Sequence, residues 1–313
     1  AATELAERVR RGRKQILTEL RKVIVGQDEC IDQVLIALFT GGHCLITGVP
    51  GLAKTLMIKT LADILDLTFG RIQFTPDLMP TDITGTEVIE ENKTTGERIF
   101  RFVKGPIFSN IILADEINRT PPKTQAALLQ AMQEREVTTA GQTYPLSLPF
   151  FVLATQNPIE QEGTYPLPEA QLDRFLFRLI LDYPDEETES EIVRKKIQGF
   201  AKINTIVSKN AILEGKNMIH SSVKAEKNVL DYVSAITQNT SNIPKATLGA
   251  SPRAAVALLY AAKGYAAVTE GRTYVVPDDV KAVAFDVFNH RLILHFLQLL
   301  KFLHNFGNDA QFQ

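Results

Sequence analysis

The sequence has little of what marks several protein classes. Its 313 residues include only two cysteines, Cys30 and Cys44, whose spacing fits no metal motif, so we interpret them as buried, reduced thiols. The formal net charge is −2, which gives no overall attraction to nucleic acid or to a membrane. Runs of basic residues, aromatic stacking platforms and internal repeats are also missing. The sequence therefore gives no sign of a disulfide scaffold or a nucleic-acid-binding surface.

Long apolar runs are equally scarce. Charged residues interrupt every apolar stretch of the first twenty residues, so we find no core of a signal peptide. The longest apolar stretch covers residues 292–303, contains His295, Gln298 and Lys301, and is too short to span a bilayer. We expect a cytoplasmic protein without stable membrane insertion.

What is present is the composition of a globular protein, with 45% hydrophobic and 22% charged residues. Up to Pro184, short apolar runs alternate with helical patterns, which predicts an α/β fold with a parallel sheet sandwiched by helices. After Pro184 the pattern is helical throughout. We therefore predict two domains, residues 1–184 and a smaller all-α domain of residues 185–313. The predicted strands cover residues 43–47, 71–74, 110–114, 150–155 and 175–181, and hairpins are predicted at 81–102 and 136–148.

A glycine-containing loop connects the first predicted strand to a helix that begins near Lys54. Backbone N–H groups of such a loop, together with the helix N-terminus, bind phosphate oxygens, which predicts a P-loop nucleoside-triphosphate site. Lys54 would bridge the β- and γ-phosphates and the Thr55 hydroxyl would bind Mg²⁺. Ala53 stands where the usual pattern has glycine, and a glycine-rich turn without a ligand is the alternative. The predicted nucleotide contacts are Gly48, Val49, Pro50, Gly51, Leu52, Ala53, Lys54, Thr55 and Leu56.

Two carboxylates and an amide follow later apolar runs. Asp115 and Glu116 end the strand of residues 110–114, where Asp115 could hold the Mg²⁺ shell and Glu116 could polarise the attacking water. Asn157 follows the next buried strand and could orient that water, whereas an ordinary Asn-Pro turn is the alternative. Arg174 and Arg253 are, by spacing alone, no more than exposed arginines in ion pairs.

At these residues the sequence resembles the MoxR family of AAA+ ATPases, over residues 5–291. The matching segments are VGQ (25–27), GVPGLAKT (48–55), FTPDLMPTDITG (74–85), GPIFSNIILADEINR (105–119), PPKTQAALLQAMQE (121–134), ATQNP (154–158), LPEAQLDRF (167–175) and GASPRA (249–254). The family's version of the loop carries alanine at the position of Ala53. After Arg291 the resemblance ends, because the family usually continues with a polar, acidic segment. We interpret the apolar tail as a core or interface helix, with a shifted reading frame as a second hypothesis.

The resemblance implies roles that spacing cannot give. Lys54 and Thr55 resemble the Walker A pair, and Asp115 and Glu116 the Walker B pair, with Glu116 as the catalytic base. Asn157 resembles the first sensor residue. The resemblance further implies that Arg174 is an arginine finger for a neighbouring subunit, that Arg253 is a second sensor in its own subunit, and that Val25 and Gly26 contact adenine.

The resemblance also implies ATP and Mg²⁺ as cofactors, assembly into a ring, expected to be a hexamer, and chaperone-like remodelling of protein clients such as von Willebrand factor A domain proteins. The two hairpins resemble the family's helix-2 insert and pre-sensor hairpin. Two other functions stay open from the sequence. A nucleic-acid translocase or clamp loader would share both hairpins, and a nucleotide-gated scaffold would bind ATP without hydrolysing it.

Overall fold

The computed structural model describes residues 1–48, 53–158, 163–242 and 249–292, and these ranges contain nine strands. The strands are β1 (Cys44–Gly48), β2 (Phe69–Gln73), β3 (Gly85–Glu91), β4 (Arg98–Lys104), β5 (Ile111–Asp115), β6 (Glu136–Thr139), β7 (Gln142–Pro145), β8 (Phe151–Gln156) and β9 (Phe177–Leu181). Five of them form one parallel sheet in the order β2-β5-β8-β1-β9. The β3–β4 and β6–β7 pairs are separate antiparallel hairpins.

Helices surround this sheet and make up the second half of the described chain. They are α1 (Ala2–Leu20), α2 (Asp28–Thr40), α3 (Lys54–Ile64), α4 (Pro80–Thr84), α5 (Pro122–Glu134), α6 (Glu169–Leu172), α7 (Glu186–Gln198), α8 (Lys209–Ser222), α9 (Lys227–Asn239), α10 (Pro252–Gly264) and α11 (Pro277–Phe288). None of the helices in the described ranges is both long and apolar enough to cross a bilayer.

The inner strands are apolar on both faces because helices cover both sides of the sheet. Ile46 in β1 and Leu113 in β5 have no exposed surface, and their neighbours Leu45 and Ile112 point to the opposite face and are equally buried. Polar side chains appear only where β5 ends, at Asp115, and at the corresponding ends of its neighbours. The parallel arrangement therefore gathers the polar strand ends at one edge of the sheet.

One face of the sheet shares a hydrophobic core with α1, α2, α3 and the helices α8 to α11. These helices pack most closely at two glycines, where no side chain separates them. A Cβ on Gly264 of α10 would lie 2.6 Å from Thr40 Cγ2 of α2, and one on Gly215 of α8 would lie 2.9 Å from Phe39 Cε1. The second-half helices thus pack directly on the first two helices of the chain.

The opposite face of the sheet packs against α5 and the base of the β6–β7 hairpin. Its core includes Leu128 and Leu129 of α5, Phe150 and Phe175. The two hairpins contact each other through a stacked pair, Phe102 and Tyr144, whose ring centroids are 4.5 Å apart. The same packing holds the β3–β4 hairpin beside the sheet while its far end remains exposed.

Helix α7 differs from the other long helices because none of its residues is buried, a property that it shares only with the four-residue α6 among the helices of the described ranges. The Asp185 carboxylate caps its N-terminus by accepting a 2.8 Å hydrogen bond from the Thr188 N–H. Acidic residues in its first turn and Lys195 and Lys196 in its last turn complement the helix dipole. Local charge and capping, more than burial, therefore define this helix.

The structure confirms the predicted α/β fold and every predicted strand of the parallel sheet, with boundaries shifted by one or two residues. Both hairpins are present, but the first begins at Gly85 because residues 81–84 belong to α4, and the second ends at Pro145. The structure also confirms that Cys30 and Cys44 are free and buried. The change from strands to helices falls between β9 and α7, around Pro184, although the hydrophobic core continues across the proposed boundary between residues 1–184 and 185–313. The predicted helix of the apolar tail lies outside the described residues from position 293 onward.

Candidate nucleotide-binding site

A cleft of 1250 Å³ opens where the carboxyl ends of β1, β5, β8 and β9 meet. It brings together most of the side chains that the sequence assigned to a nucleotide. Those in its lining are Val25, Gly26, Gly48, Ala53, Lys54, Thr55, Leu56, Asp115, Glu116 and Asn157. The predicted contacts Val49, Pro50, Gly51 and Leu52 lie outside the described residues.

Both ends of the glycine-containing loop have specific backbone requirements. A Cβ on Gly48 would lie 2.7 Å from the Leu181 carbonyl oxygen, so only glycine lets β1 end this close to β9. Ala53 precedes α3 with φ of 51°, in the left-handed region, where a residue with a Cβ costs roughly 1–2 kcal/mol. The alanine that departs from the usual motif is therefore tolerated in a conformation that favours glycine.

Lys54 is the first residue of α3, and its side chain turns back toward the end of β1. The Nζ atom lies 3.4 Å from the Gly48 carbonyl oxygen. Burial lowers the pKa of Lys54, while the nearby carboxylates of Asp115 and Glu116 oppose that shift. The ammonium group is thus partly desolvated and faces the two acids across the cleft.

Asp115 is held by groups from both neighbouring strands. Its Oδ1 accepts a 2.8 Å hydrogen bond from the Thr155 hydroxyl of β8, and its Oδ2 forms a 2.7 Å ion pair with Arg71 Nη2 of β2. Thr55 and Asp115 line the same cleft and offer a hydroxyl and a carboxylate, which are oxygen ligands of the kind that Mg²⁺ takes. This donor set fits the predicted metal.

Glu116 is positioned by its backbone and by two side chains. Its φ is 56°, and its N–H donates a 2.8 Å hydrogen bond to Thr155 Oγ1. Its Oε2 accepts hydrogen bonds from Gln73 Nε2 at 2.9 Å and from Arg119 Nη1 at 3.2 Å. Since a left-handed backbone is uncommon outside glycine, the surrounding contacts fix the direction of this carboxylate.

Sequence reasoning missed Arg71, Gln73 and Thr155, although each contacts Asp115 or Glu116. Gln73 lies directly opposite Asp115 in the parallel pairing of β2 and β5. The only signal in the sequence was that Gln73 and Asp115 each end an apolar run. The register that places them side by side follows from the three-dimensional pairing of strands far apart in the chain.

Asn157 lines the cleft immediately after β8. Strand β8 pairs with β5 on one side and with β1 on the other, so the strand that precedes Asn157 lies beside the strand that ends at Asp115. The strand before Asn157 therefore lies between β1, which leads into the glycine-containing loop, and β5, which ends at Asp115. The role of Asn157 toward water or phosphate stays a prediction.

Arg174 and Arg253 do not line the cleft. Arg253 Nη1 lies 3.7 Å from the Asp173 carboxylate, which also accepts a 2.7 Å bond from Arg291 Nε. Arg174 follows Asp173 directly in the chain. The predicted roles of Arg174 toward a neighbouring subunit and of Arg253 toward its own subunit stay predictions.

The end of the cleft near Val25 and Gly26 is bordered by α7 and by exposed apolar side chains. A Cβ on Gly26 would lie 3.2 Å from Thr188 Cγ2, which shows how closely the two segments approach. Tyr183 and Phe200 line this region although they are 71% and 50% exposed. Flat apolar surface that is open to the cleft suits a nucleobase.

An acid lies in the lining of the cleft near α2. Asp286 of α11 accepts a 2.8 Å hydrogen bond from Gln33 Nε2 of α2. Burial raises the pKa of Asp286 to about 7, and the negative charge of Glu29 adds to the shift. This pair could not be predicted from a local pattern, since Gln33 and Asp286 are 253 positions apart.

Comparison with known proteins is consistent with this geometry. Residues 43–177 match the model of the ATPase family associated with various cellular activities (AAA), and residues 238–301 match the AAA lid domain. The chain is 43% identical to the chaperone MoxR1 of Mycobacterium tuberculosis over 90% of its length and 75% of that protein. It is 45% identical to the uncharacterized protein YeaC of Bacillus subtilis, over 88% of its length and 85% of that protein.

Two further proteins share most of the chain. The protein MoxR of Methylorubrum extorquens is 30% identical over 88% of this chain and 86% of its own. A crystal structure of a candidate ATPase from Cytophaga hutchinsonii superimposes with a TM-score of 0.89 and 44% identity, covering 99% of this chain and 97% of that one.

Proposed function

Because the chain belongs to the MoxR family of AAA+ ATPases and is thus an ATP-hydrolysing enzyme, we propose that it assembles into a ring that remodels protein clients. The proposal rests on the positions of the functional residues, which fall into two groups. The phosphate-facing and acidic residues share one cleft, whereas Arg174 and Arg253 lie outside it beside Asp173. A complete site then needs residues from two subunits.

Within one subunit, Lys54 neutralises the β- and γ-phosphates, and Glu116 accepts a proton from the attacking water while Asn157 orients it. Mg²⁺, held by Thr55 and Asp115, would supply positive charge at the phosphate oxygens. Phosphoryl transfer to water depends mainly on positioning and on charge stabilisation, so these groups account for the chemistry. Adenine would lie between Val25, Gly26 and the exposed rings near α7.

Between subunits, Arg174 would reach the nucleotide of a neighbour, while Arg253 would turn toward the nucleotide of its own subunit. Arg253 is 71% exposed and its pairing distance to Asp173 is long, so little free energy holds it in its present place. An arginine that reaches a γ-phosphate stabilises the negative charge of the transition state. Ring assembly would thereby control hydrolysis, and a cytoplasmic hexamer remains our working assembly.

The β3–β4 hairpin is the part that we propose contacts clients. Its strands carry apolar side chains that are largely exposed, among them Ile89, Ile99 and Phe100 at 58%, 54% and 67%. Exposed apolar groups next to charged ones are typical of surfaces that bind other proteins. Client proteins with von Willebrand factor A domains are part of this proposal on the strength of the family resemblance.

The proposal is tested by measuring ATP turnover per subunit as a function of protein concentration. Turnover per subunit should rise steeply with concentration and level off when rings are complete, and Lys54→Ala should be inactive at every concentration because nucleotide no longer binds. A turnover per subunit that is constant with dilution, in a protein that sediments as a monomer, would contradict ring-dependent hydrolysis. Stimulation by DNA at physiological salt would instead favour a nucleic-acid translocase.

A further inference from the structure

A cluster of cationic side chains lies at the edge of the sheet opposite to the nucleotide cleft. It surrounds Gly41, in the turn that leads from the end of α2 into the first residues of β1. Arg135, Lys216, His220 and Lys263 come from α5, α8 and α10 and converge there. We refer to these four residues as the basic cluster.

The geometry around Gly41 places two full charges close together. A Cβ on Gly41 would lie 2.7 Å from Lys216 Nζ and 3.4 Å from Arg135 Nη2, so the two cationic atoms lie within about 6 Å of each other. Gly41 has a φ of 77° and no side chain, which leaves room for the lysine to approach.

The other two residues of the basic cluster, His220 and Lys263, lie next to Lys216 and Arg135. His220 Nε2 lies 2.8 Å from the Thr40 carbonyl oxygen, and Lys263 Nζ donates to the His220 carbonyl oxygen at 3.5 Å. The ring of Tyr260 lies 4.8 Å from the imidazole and forms the apolar side of the cluster.

No negative side chain balances these charges within the described part of the chain. Arg135, Lys216 and Lys263 form no ion pair with a carboxylate of the described residues, in contrast to Lys227 on α9, which pairs with Asp231 at 2.6 Å. Burial lowers the pKa of Lys216, and the positive charge of Arg135 lowers it further. The charged side chains that shift the pKa of Lys216 and of His220 are therefore all positive.

The partial negative charges at helix C-termini offset only part of the positive charge of the basic cluster. The C-termini of α2 and α5 lie at the cluster, and each carries the equivalent of about half a negative charge. Against them stand the full charges of Arg135, Lys216 and Lys263. Roughly one to two positive charges are left over, even if the C-terminus of α8 is included. A bound dianion would neutralise that remainder.

We propose that the basic cluster is a binding site for a phosphate-sized dianion, either inorganic phosphate or the phosphate of a small metabolite. A guanidinium and an ammonium group within about 6 Å of each other can both donate hydrogen bonds to one phosphate group. The cluster is separate from the nucleotide cleft and lies against α2, α5, α8 and α10 together. An anion bound there links helices from both halves of the chain.

The test is a calorimetric titration of inorganic phosphate at constant ionic strength, with chloride as the reference anion. It is done in a Lys54→Ala background so that phosphate bound in the nucleotide cleft does not contribute. We expect saturable binding that is at least tenfold weaker after the double substitution of Lys216→Gln and Arg135→Gln. Lys227→Gln removes one exposed lysine charge from α9 and should leave the affinity unchanged.

A second measurement guards against a merely structural role of the four cations. The pKa of His220, followed by NMR, should rise when phosphate is added, and this rise should disappear in the doubly substituted protein. The proposal is overturned if the parent shows no saturable phosphate binding, or if the double substitution leaves the affinity as it was. Binding to vesicles that contain phosphatidic acid, without binding of inorganic phosphate, would also overturn it in favour of a membrane headgroup.

Discussion

Glu116 shows how one side chain can be fixed for a chemical role by residues far away in the chain. Gln73 and Arg119 both donate to its Oε2, and Thr155 accepts from its backbone N–H. These contacts set the direction of the carboxylate, and its charge is what a water molecule needs as a proton acceptor.

We expect Glu116→Gln to bind ATP normally and to lower turnover about 10²- to 10⁴-fold, since the amide keeps the hydrogen-bonding shape but accepts no proton. Steady-state turnover and equilibrium nucleotide binding measure the two effects separately. Lys54→Ala serves as the comparison because it should lose binding as well. Turnover within a few-fold of wild type would show that Glu116 is not the base.

Asp286 predicts a dependence of stability on pH. Because its pKa is raised in the folded state, the folded protein holds this proton more tightly than the unfolded chain. The contribution of the group is present in full below pH 4 and is lost as the pH rises toward about 7. Asp286→Asn should therefore be more stable than wild type at pH 8, by on the order of 2–4 kcal/mol, and similar to it at pH 4.

Urea unfolding at both pH values measures this difference. The matched control is Asp278→Asn on the same helix, whose side chain is 86% exposed and which should show no such change. A wild-type protein that equals Asp286→Asn at pH 8 would mean that the carboxyl is solvated and not raised in pKa.

Residues of the site that lie next to each other in the chain could be predicted, because a phosphate loop uses consecutive backbone groups. Lys54, Thr55, Asp115 and Glu116 belong to this class. Gln73 and Asp286 could not be found in the same way, since their positions in the site depend on strand register and helix packing that no local pattern encodes.

At the level of elements, the β3–β4 hairpin has two kinds of aromatic residue. Phe100 is 67% exposed, whereas Phe102 stacks on Tyr144 and lies edge-on to Phe108. The pairing of the strands places Phe100 opposite Ile89, near the free end of the hairpin. The two phenylalanines should therefore differ in what they contribute.

We expect Phe102→Ser to destabilise the protein by about 1–3 kcal/mol through the loss of aromatic packing, and Phe100→Ser to change its stability by less than about 0.5 kcal/mol. Thermal or urea unfolding checks both. Phe100→Ser should instead weaken stimulation of ATP turnover by client proteins. Equal destabilisation by the two substitutions would show that the exposed end of the hairpin is also packed.

The elements themselves were largely predictable, because buried strands such as β1 and β8 are continuous apolar runs and prolines mark the first turns of α5 and α10. The elements against which they pack could not be predicted. An amphipathic pattern in α1 says that one side is buried but not against what, so the packing of α8 and α10 on α1 and α2 emerges only in three dimensions.

For the whole molecule, the separation of Arg174 from its own cleft predicts that two inactive variants can complement each other. Mixing Arg174→Ala with Glu116→Gln should restore turnover, since some neighbours then combine an intact Glu116 in one subunit with an intact Arg174 in the next. Each variant alone should be inactive. Turnover of the mixture, measured after the subunits exchange, tests the arrangement.

The matched control is a mixture of Lys54→Ala with Glu116→Gln. Both substitutions damage the same cleft, so no pairing of these subunits gives a complete site and the mixture should stay inactive. No recovery with Arg174→Ala would place the arginine in the cleft of its own subunit. Recovery in the control would mean that Lys54 and Glu116 do not serve the same cleft.

The shared core of α1, α2 and the second-half helices limits how a subunit can move. Swinging those helices away from α1 and α2 would expose the apolar contacts around Gly264 and Gly215 to water, at a free-energy cost that grows with the exposed area. Helix α7 has no such anchor, although it borders the cleft. We therefore expect each subunit to turn as a rigid wedge, with α7 as its yielding contact. Mechanical work would then be transmitted along the circumference of the ring, from one wedge to the next.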